Sequence, residues 1–316
     1  MLHYVMENLI KDCGRDKLIN MPAHDRNHIV DNLINQYIKI YMGGMDDKSA
    51  RFSALVQRWS NNCKLIAAQI THELKQSLYI PVDFELKIGD DIPDGGSINI
   101  IGSVDRVDIM KASDNTNYLR VIDYKSGQQD FNLSGILDGL NMQMLIYLLS
   151  IWENGKGRYG DIIPSGVLYM PSAAACVFNE SADEEQILKI LASNLKMKGM
   201  LLDDTSSILG MEKDGSGKII PLSLDSEGQI KLTKQNINTA PYYSIEELKC
   251  IELWIKDILI KMAENLKNGQ VAPDPIQKGR YASCKFCDYK SICSWDDTNI
   301  RQPNDMTFRS VMENLK

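Results

Sequence analysis

The hydrophobic period of this chain changes abruptly at Pro81, and that switch decides the class of fold. Before it, Pro22 to Tyr41 carries Ile29, Leu33, Ile34, Tyr37, Ile38 and Tyr41 at spacings of three and four, and stops at Gly43-Gly44. Lys48 to Leu78 repeats the pattern through Phe52, Leu55, Val56, Trp59, Ile66, Ile70 and Leu74. After it, residues 82–88, 98–110 and 118–125 are rich in β-branched side chains, with Gly95-Gly96 and Asp114-Asn115 in the gaps. Three consecutive strands joined by hairpin-type turns are expected. A helix is predicted over 137–152, a strand over 165–170 and an amphipathic stretch over 184–197. Ser244-Ile245-Glu246-Glu247 is a capping box that opens a long helix, and Gly269 closes it. Residues 203–238 are polar and poorly periodic, which predicts an irregular surface insertion. Helices flanking a mixed sheet make this an α/β chain.

At 316 residues and 44% hydrophobic, the chain can bury a core without disulfide staples. Its longest apolar runs, such as Met144 to Ile151, fall well short of the ~20 residues that span a bilayer. No basic segment leading into an apolar stretch opens the sequence at Met1-Leu2-His3-Tyr4-Val5-Met6-Glu7, so no signal peptide is expected. Seven cysteines, three of them crowded between Cys284 and Cys293, suggest a cytoplasmic protein that uses thiolates for metal. The net charge of −7 argues against a polyanion partner at first sight. Total charge hides local balance, however. Lys278, Arg280, Lys285 and Lys290 cluster around the cysteines, where a basic patch could meet phosphate.

The chemistry concentrates in Gly102-Ser103-Val104-Asp105-Arg106-Val107-Asp108 and Val121-Ile122-Asp123-Tyr124-Lys125. Residues two apart in a strand share a face, so Asp123 and Lys125 project together, and Asp105 on the preceding strand can lie beside Asp123. Hard carboxylate oxygens suit Mg²⁺ or Mn²⁺, and a nearby ammonium can orient a water or offset charge on a phosphoryl group. A solvated ion pair on a strand face is the plainer alternative for Asp-x-Lys.

Cys284-Lys285-Phe286-Cys287 and Cys293 form C-x2-C-x5-C, a tight loop able to present three sulfurs to one centre. Zinc with a fourth ligand and a [4Fe–4S] cluster both fit that spacing. Gly210 to Lys218 holds three glycines and ends on a lysine but lacks the G-x-x-x-x-G-K spacing, and Ile219 stands where Ser or Thr is required. It is not read as a phosphate loop.

Asp105 followed by Asp123-x-Lys125, with Gln143-Met144-Leu145-Ile146-Tyr147 on the next helix, resembles the PD-(D/E)xK nuclease superfamily and its RecB-type branch, which carries a Q-x-x-x-Y signature. The cysteine spacing and the order of the motifs are similar to the nuclease domains of AddB-type helicase–nuclease proteins. The resemblance implies a restriction-endonuclease-like core at 81–270, an N-terminal helical part at 1–80 and a cysteine-rich iron–sulfur segment at 271–316. It further implies that His3, Asp105, Asp123 and the Tyr124 backbone carbonyl hold a catalytic Mg²⁺ or Mn²⁺. Lys125 would position the attacking water, and Gln143 and Tyr147 would support the site and the DNA contact. Glu85 on the first strand is either a further site residue or a strand-face charge. Cys284, Cys287 and Cys293 would bind a [4Fe–4S] cluster whose fourth cysteine, upstream in the family, is absent here, so an incomplete cluster is expected. His24, His28 and His72 match no family position. The implied partners are single-stranded DNA ends and a helicase resembling AddA, without a membrane. Two alternatives are a non-catalytic DNA- or helicase-binding module of the same fold and a free-standing RecB-family exonuclease.

Overall fold

A computed structural model describes residues 1–91, 98–113, 115–125, 131, 133–172, 193–231, 241–278, 281–282, 284, 287–293, 300–304 and 306–315. Most of the expected amphipathic stretch at 184–197 lies outside these, as do Arg280 and Lys285 of the basic cluster.

Four helices come first: α1 (Leu2–Cys13), α2 (Arg15–Asn20), α3 (Ala23–Met42) and α4 (Ala50–Gln76). Each boundary has a local cause. Gly43, at φ 75°, closes α3 in the left-handed conformation that glycine adopts without strain. Ser49 caps α4 by accepting from the Phe52 amide at 3.3 Å. At the other end of α4, Arg15 donates to the carbonyls of Leu74 (3.1 Å) and Ser77 (2.7 Å), a cation on the negative end of the helix.

The sheet follows, with β1 (Ile80–Asp91), β2 (Asn99–Lys111), β3 (Thr116–Lys125), β4 (Asp161–Pro171), β5 (Lys198–Leu202) and β6 (Tyr242–Tyr243) in spatial order one to six. It is mixed: β2 and β3 are antiparallel, β3 and β4 parallel, β4 and β5 antiparallel, β5 and β6 parallel. Between β3 and β4 lie a 3₁₀ turn at Leu133–Asp138, then α5 (Gln143–Asn154) and α6 (Lys156–Tyr159). A crossover of this kind is what a parallel strand pair requires. The predicted helix at 137–152 therefore starts later, because Gly139 (φ 74°) and Asn141 (φ 58°) break the chain ahead of it. The helices α7 (Thr205–Met211), α8 (Ile245–Lys267) and α9 (Phe308–Leu315) follow along the chain, and a small hairpin pairs β7 (Gln277–Lys278) with β8 (Tyr281–Ala282).

The chain forms two interleaved units. One comprises Met1–Ile88, Gly102–Phe131 and Tyr147–Ile245. Its core joins Val5, Met6 and Leu9 of α1, Leu33 and Ile34 of α3, and Ile66, Ile70 and Leu74 of α4 to Ile122, Tyr124, Leu168 and Met170 of the sheet. The other comprises Gly89–Ile101, Asn132–Ile146 and Glu246–Lys316. There the Trp254 indole donates to the Ile136 carbonyl at 3.2 Å, Asp138 accepts from the Asn304 amide at 2.8 Å, and Arg309 pairs with Glu247 at 3.1 Å.

The stretch expected to be a surface insertion is corrected over residues 203–231; the rest of it, 232–238, lies outside the described residues. Ile208, Met211, Ile219, Ile220 and Leu222 are buried in the main core. The pseudo-phosphate loop explains how. Its turn is an anion-binding nest filled by the chain's own Glu212, whose carboxylate accepts from Ser216 Oγ (2.7 Å) and from the amides of Lys218 (2.9 Å), Ile219 (3.2 Å) and Ile220 (3.3 Å). A buried carboxylate satisfied by that many donors organises a short apolar segment without helical periodicity.

Candidate metal and nuclease site

The β2–β3 register pairs Arg106 with Ile122 and Asp108 with Arg120. Continued by one residue, it sets Asp105 opposite Asp123. The alternation of a strand then sorts the charges onto two faces. Arg106, Asp108 and Arg120 go to the face covered by the N-terminal helices, and Asp105, Asp123 and Lys125 to the other.

The first set is closed. Arg106 donates to both oxygens of Asp108 at 2.7 Å and to Glu73 of α4 at 2.9 Å. Arg120 donates to Asp108 at 2.8 and 3.0 Å, pairs with Glu73, and lies over the Tyr79 ring at 4.7 Å. All four side chains are fully buried. Burial alone would raise the Glu73 carboxyl, but the Arg106 and Arg120 charges outweigh it and hold the group below the ordinary carboxylate range. Sequence reading missed this quartet. Glu73 was the available signal, since it sits beside Leu74 on the apolar stripe of α4, where a charge needs a partner.

The second set is open. His3, at the start of α1, places Nδ1 at 3.4 Å from Asp105 and 3.5 Å from Glu85 of β1. Ligand atoms of His3, Glu85 and Asp105 all lie within 4.8 Å of one another. Glu85 reaches the group from a strained backbone, φ 48° within a strand, and accepts from Ser103 Oγ at 2.9 Å. It therefore stands in the group itself and not on a bare strand face. Asp105 accepts from the Tyr124 amide at 2.8 Å and is only 8% exposed. Burial, reinforced by the Asp123 charge, pushes its carboxyl up to about 6.

Asp123 is not among the three gathered residues. It adjoins them through the strand pairing and is tied to Lys125, whose ammonium is 2.9 Å from Asp123 Oδ2 but off the line a hydrogen bond needs. That oxygen is buried without an aligned donor. Lys125 also lies 5.5 Å from the centre of the Tyr169 ring. An imidazole nitrogen and carboxylate oxygens, one of the latter buried and undersupplied with donors, are a donor set that suits a hard divalent cation. Tyr147 of α5 is buried against β2 at Gly102, where a Cβ would collide with its ring, so the glycine that opens one motif makes room for the tyrosine that closes another. Gln143 begins the same helix.

The cysteines are arranged differently. Cys284 is half-buried and Cys287 and Cys293 are exposed, all with free thiols, on turns closed by Cys287 N–H to Cys284 O (3.4 Å) and Cys293 N–H to Tyr289 O (3.0 Å). Among the described residues, His3, Glu85 and Asp105 are the only His, Cys, Asp or Glu group of three within metal-binding reach.

Comparison with known proteins bears on this geometry directly. The family model of the PD-(D/E)XK nuclease superfamily matches residues 1–294. The chain belongs to this superfamily. It is also 32% identical over 283 residues to the B subunit of the ATP-dependent helicase/deoxyribonuclease of Ruminiclostridium cellulolyticum, covering 85% of this chain and 24% of that protein. The proteins of the same name from Acetivibrio thermocellus (31% over 282 residues; 85% and 24%) and Clostridioides difficile (28% over 316 residues; 94% and 27%) are similar in the same way. The chain thus spans about a quarter of the length of the curated relatives it matches. No helix among the described residues is long and apolar enough to cross a membrane.

Proposed function

We propose that this PD-(D/E)XK chain is the nuclease domain of an AddB-type helicase/deoxyribonuclease, and that it hydrolyses phosphodiester bonds of single-stranded DNA with Mg²⁺. The observation that carries the reading is the gathering of His3, Glu85 and Asp105 beside the strand pair that presents Asp123 and Lys125.

His3, Asp105, Asp123 and the Tyr124 carbonyl would hold the ion, with Glu85 as a further oxygen donor. When bound, a divalent ion supplies Lewis-acid charge for attack on a phosphodiester and lowers the pKa of water. The chain's own residues do the rest. Asp105 is fixed by the Tyr124 amide, so its other oxygen is aimed at the His3 side. Lys125, leaning on Asp123, holds an ammonium proton donor at the strand end, able to orient a water or offset charge growing on phosphate. Gln143 and Tyr147 keep the DNA-contact role the family pattern implies. A helicase resembling AddA would supply substrate, since an acidic chain holds DNA weakly alone.

The test is cleavage of single-stranded DNA by the wild type, Asp123→Ala and Lys125→Ala, with Mg²⁺ and with EDTA. The expected result is Mg²⁺-dependent cleavage by the wild type, reduced at least ~100-fold in each variant. Equal activity in all three would overturn the assignment.

A further inference from the structure

Tyr124 stands between Asp123 and Lys125 on β3, and the alternation that sends those two to the open face turns its ring into the helix-covered core. There the ring lies 5.9 Å from the His3 imidazole, centroid to centroid, tilted at 56°. Aromatic rings attract one another in that range of distance and angle. The Tyr124 amide meanwhile donates to Asp105 at 2.8 Å. One residue of β3 thus holds two of the three gathered groups, His3 by its ring and Asp105 by its backbone.

His3 needs such a contact. Its side chain, in the first turn of α1, is 46% exposed and approaches Asp105 and Glu85 at 3.4 and 3.5 Å. No hydrogen bond among the described residues sets the plane of the imidazole. A metal-bound histidine is ordinarily oriented by a hydrogen bond from its second ring nitrogen, and here an aromatic ring stands against it instead. That ring is itself fixed. Tyr124 is buried, and its hydroxyl lies within the field of the Arg106 guanidinium, with neither Tyr124 Oη nor Arg106 Nη1 finding an aligned partner. Arg106 is anchored in turn by Glu73 and Asp108.

We infer that the Tyr124 side chain is a positioning residue: its ring holds the His3 imidazole over the Asp105 and Glu85 carboxylates, so that the three present their ligand atoms together before an ion arrives. The inference rests on the divalent-ion reading of this site and adds the residue that orients its histidine. The hydroxyl faces Arg106 and not the site, so the ring alone does the holding.

The experiment uses the 316-residue chain and two readouts. The first is the mobility of the His3 ring in metal-free protein, from NMR relaxation of its C–H groups, with the exposed His24 as the internal comparison. His3 is expected to be ordered in wild type and Tyr124→Phe, and as mobile as His24 in Tyr124→Leu. A wild-type His3 as mobile as His24 overturns the inference, whether or not the leucine variant folds. The second readout is Mn²⁺ affinity. Tyr124→Leu should bind the ion at least ~10-fold more weakly than wild type, and Tyr124→Phe should restore binding. In a His3→Ala background the same leucine substitution should change affinity by less than about 2-fold, because the group it positions is gone. An equal loss in both backgrounds is what a loosened core would give, and overturns the inference, as does failure of Tyr124→Phe to rescue. The readings fail separately. Mn²⁺ bound by wild type and Tyr124→Leu alike sinks the positioning role and leaves the ion site standing. Absence of Mn²⁺ binding in wild type sinks both. The expected Mn²⁺ pattern in a chain that cleaves no DNA sinks the nuclease and sustains the role of Tyr124.

Discussion

The two faces of the β2–β3 pair carry the same kinds of side chain and put them to opposite uses. On the helix-covered face, two carboxylates meet two guanidinium groups, fully buried and without net charge. On the other, Glu85, Asp105 and Asp123 face one ammonium and a half-exposed imidazole. A neutral, mutually bonded cluster is complete in itself and stays shut. A cluster with surplus carboxylate gains from a positive partner, which is what the proposed ion would supply. The closed face also supports the open one, because Arg106, next to Asp105 on β2, is bonded to Glu73 of α4 and to Asp108.

The sharpest way to break this contrast is to open the closed face. Asp108→Ala would leave two buried guanidinium groups short of a partner, and urea denaturation should show a loss of about 3–5 kcal/mol. A loss under ~1 kcal/mol would mean the quartet is no more than a surface-type ion pair.

A smaller effect of opposite sign is expected at the open face. The folded-state value of Asp105, about 6, lies above that of an unfolded aspartate, so its ionisation opposes folding. Metal-free protein should therefore lose stability as pH rises from about 4 to about 6, with the penalty complete above that window. Asp105→Asn removes the titration. At pH 7 without metal it should be more stable than wild type by up to ~3 kcal/mol, and the difference should vanish towards pH 4. Denaturation curves of both proteins across that range check the sign. A less stable Asp105→Asn would place this residue with the structural charges instead.

The placement of Asp105, Asp123 and Lys125 on one face was legible because strands encode it locally. A period of two put Asp123 and Lys125 together, and hydrophobic flanks identified the strands that carry them. His3 could be placed only through the family resemblance, since nothing in a lone helical histidine announces a neighbour on a sheet. Glu85 depends on a local positive φ, which no side-chain pattern encodes at a glutamate. Residues 203–231 were misjudged for a related reason. Their packing is organised by one carboxylate in a nest of amides, and backbone donors leave no trace in hydrophobic periodicity. The strand β5, Lys198–Leu202, was not expected, being too short to show alternation.

If the open face is a divalent-ion site, as proposed, it should bind such an ion directly. Mn²⁺ titrated into the chain at pH 7 can be followed by the loss of its free-ion electron paramagnetic resonance signal, for wild type and for Asp105→Asn. Binding by the wild type is expected, with affinity at least ~10-fold weaker in the variant, whose fold is intact or stabilised. Equal Mn²⁺ affinity in the two proteins, or none in the wild type, would contradict it.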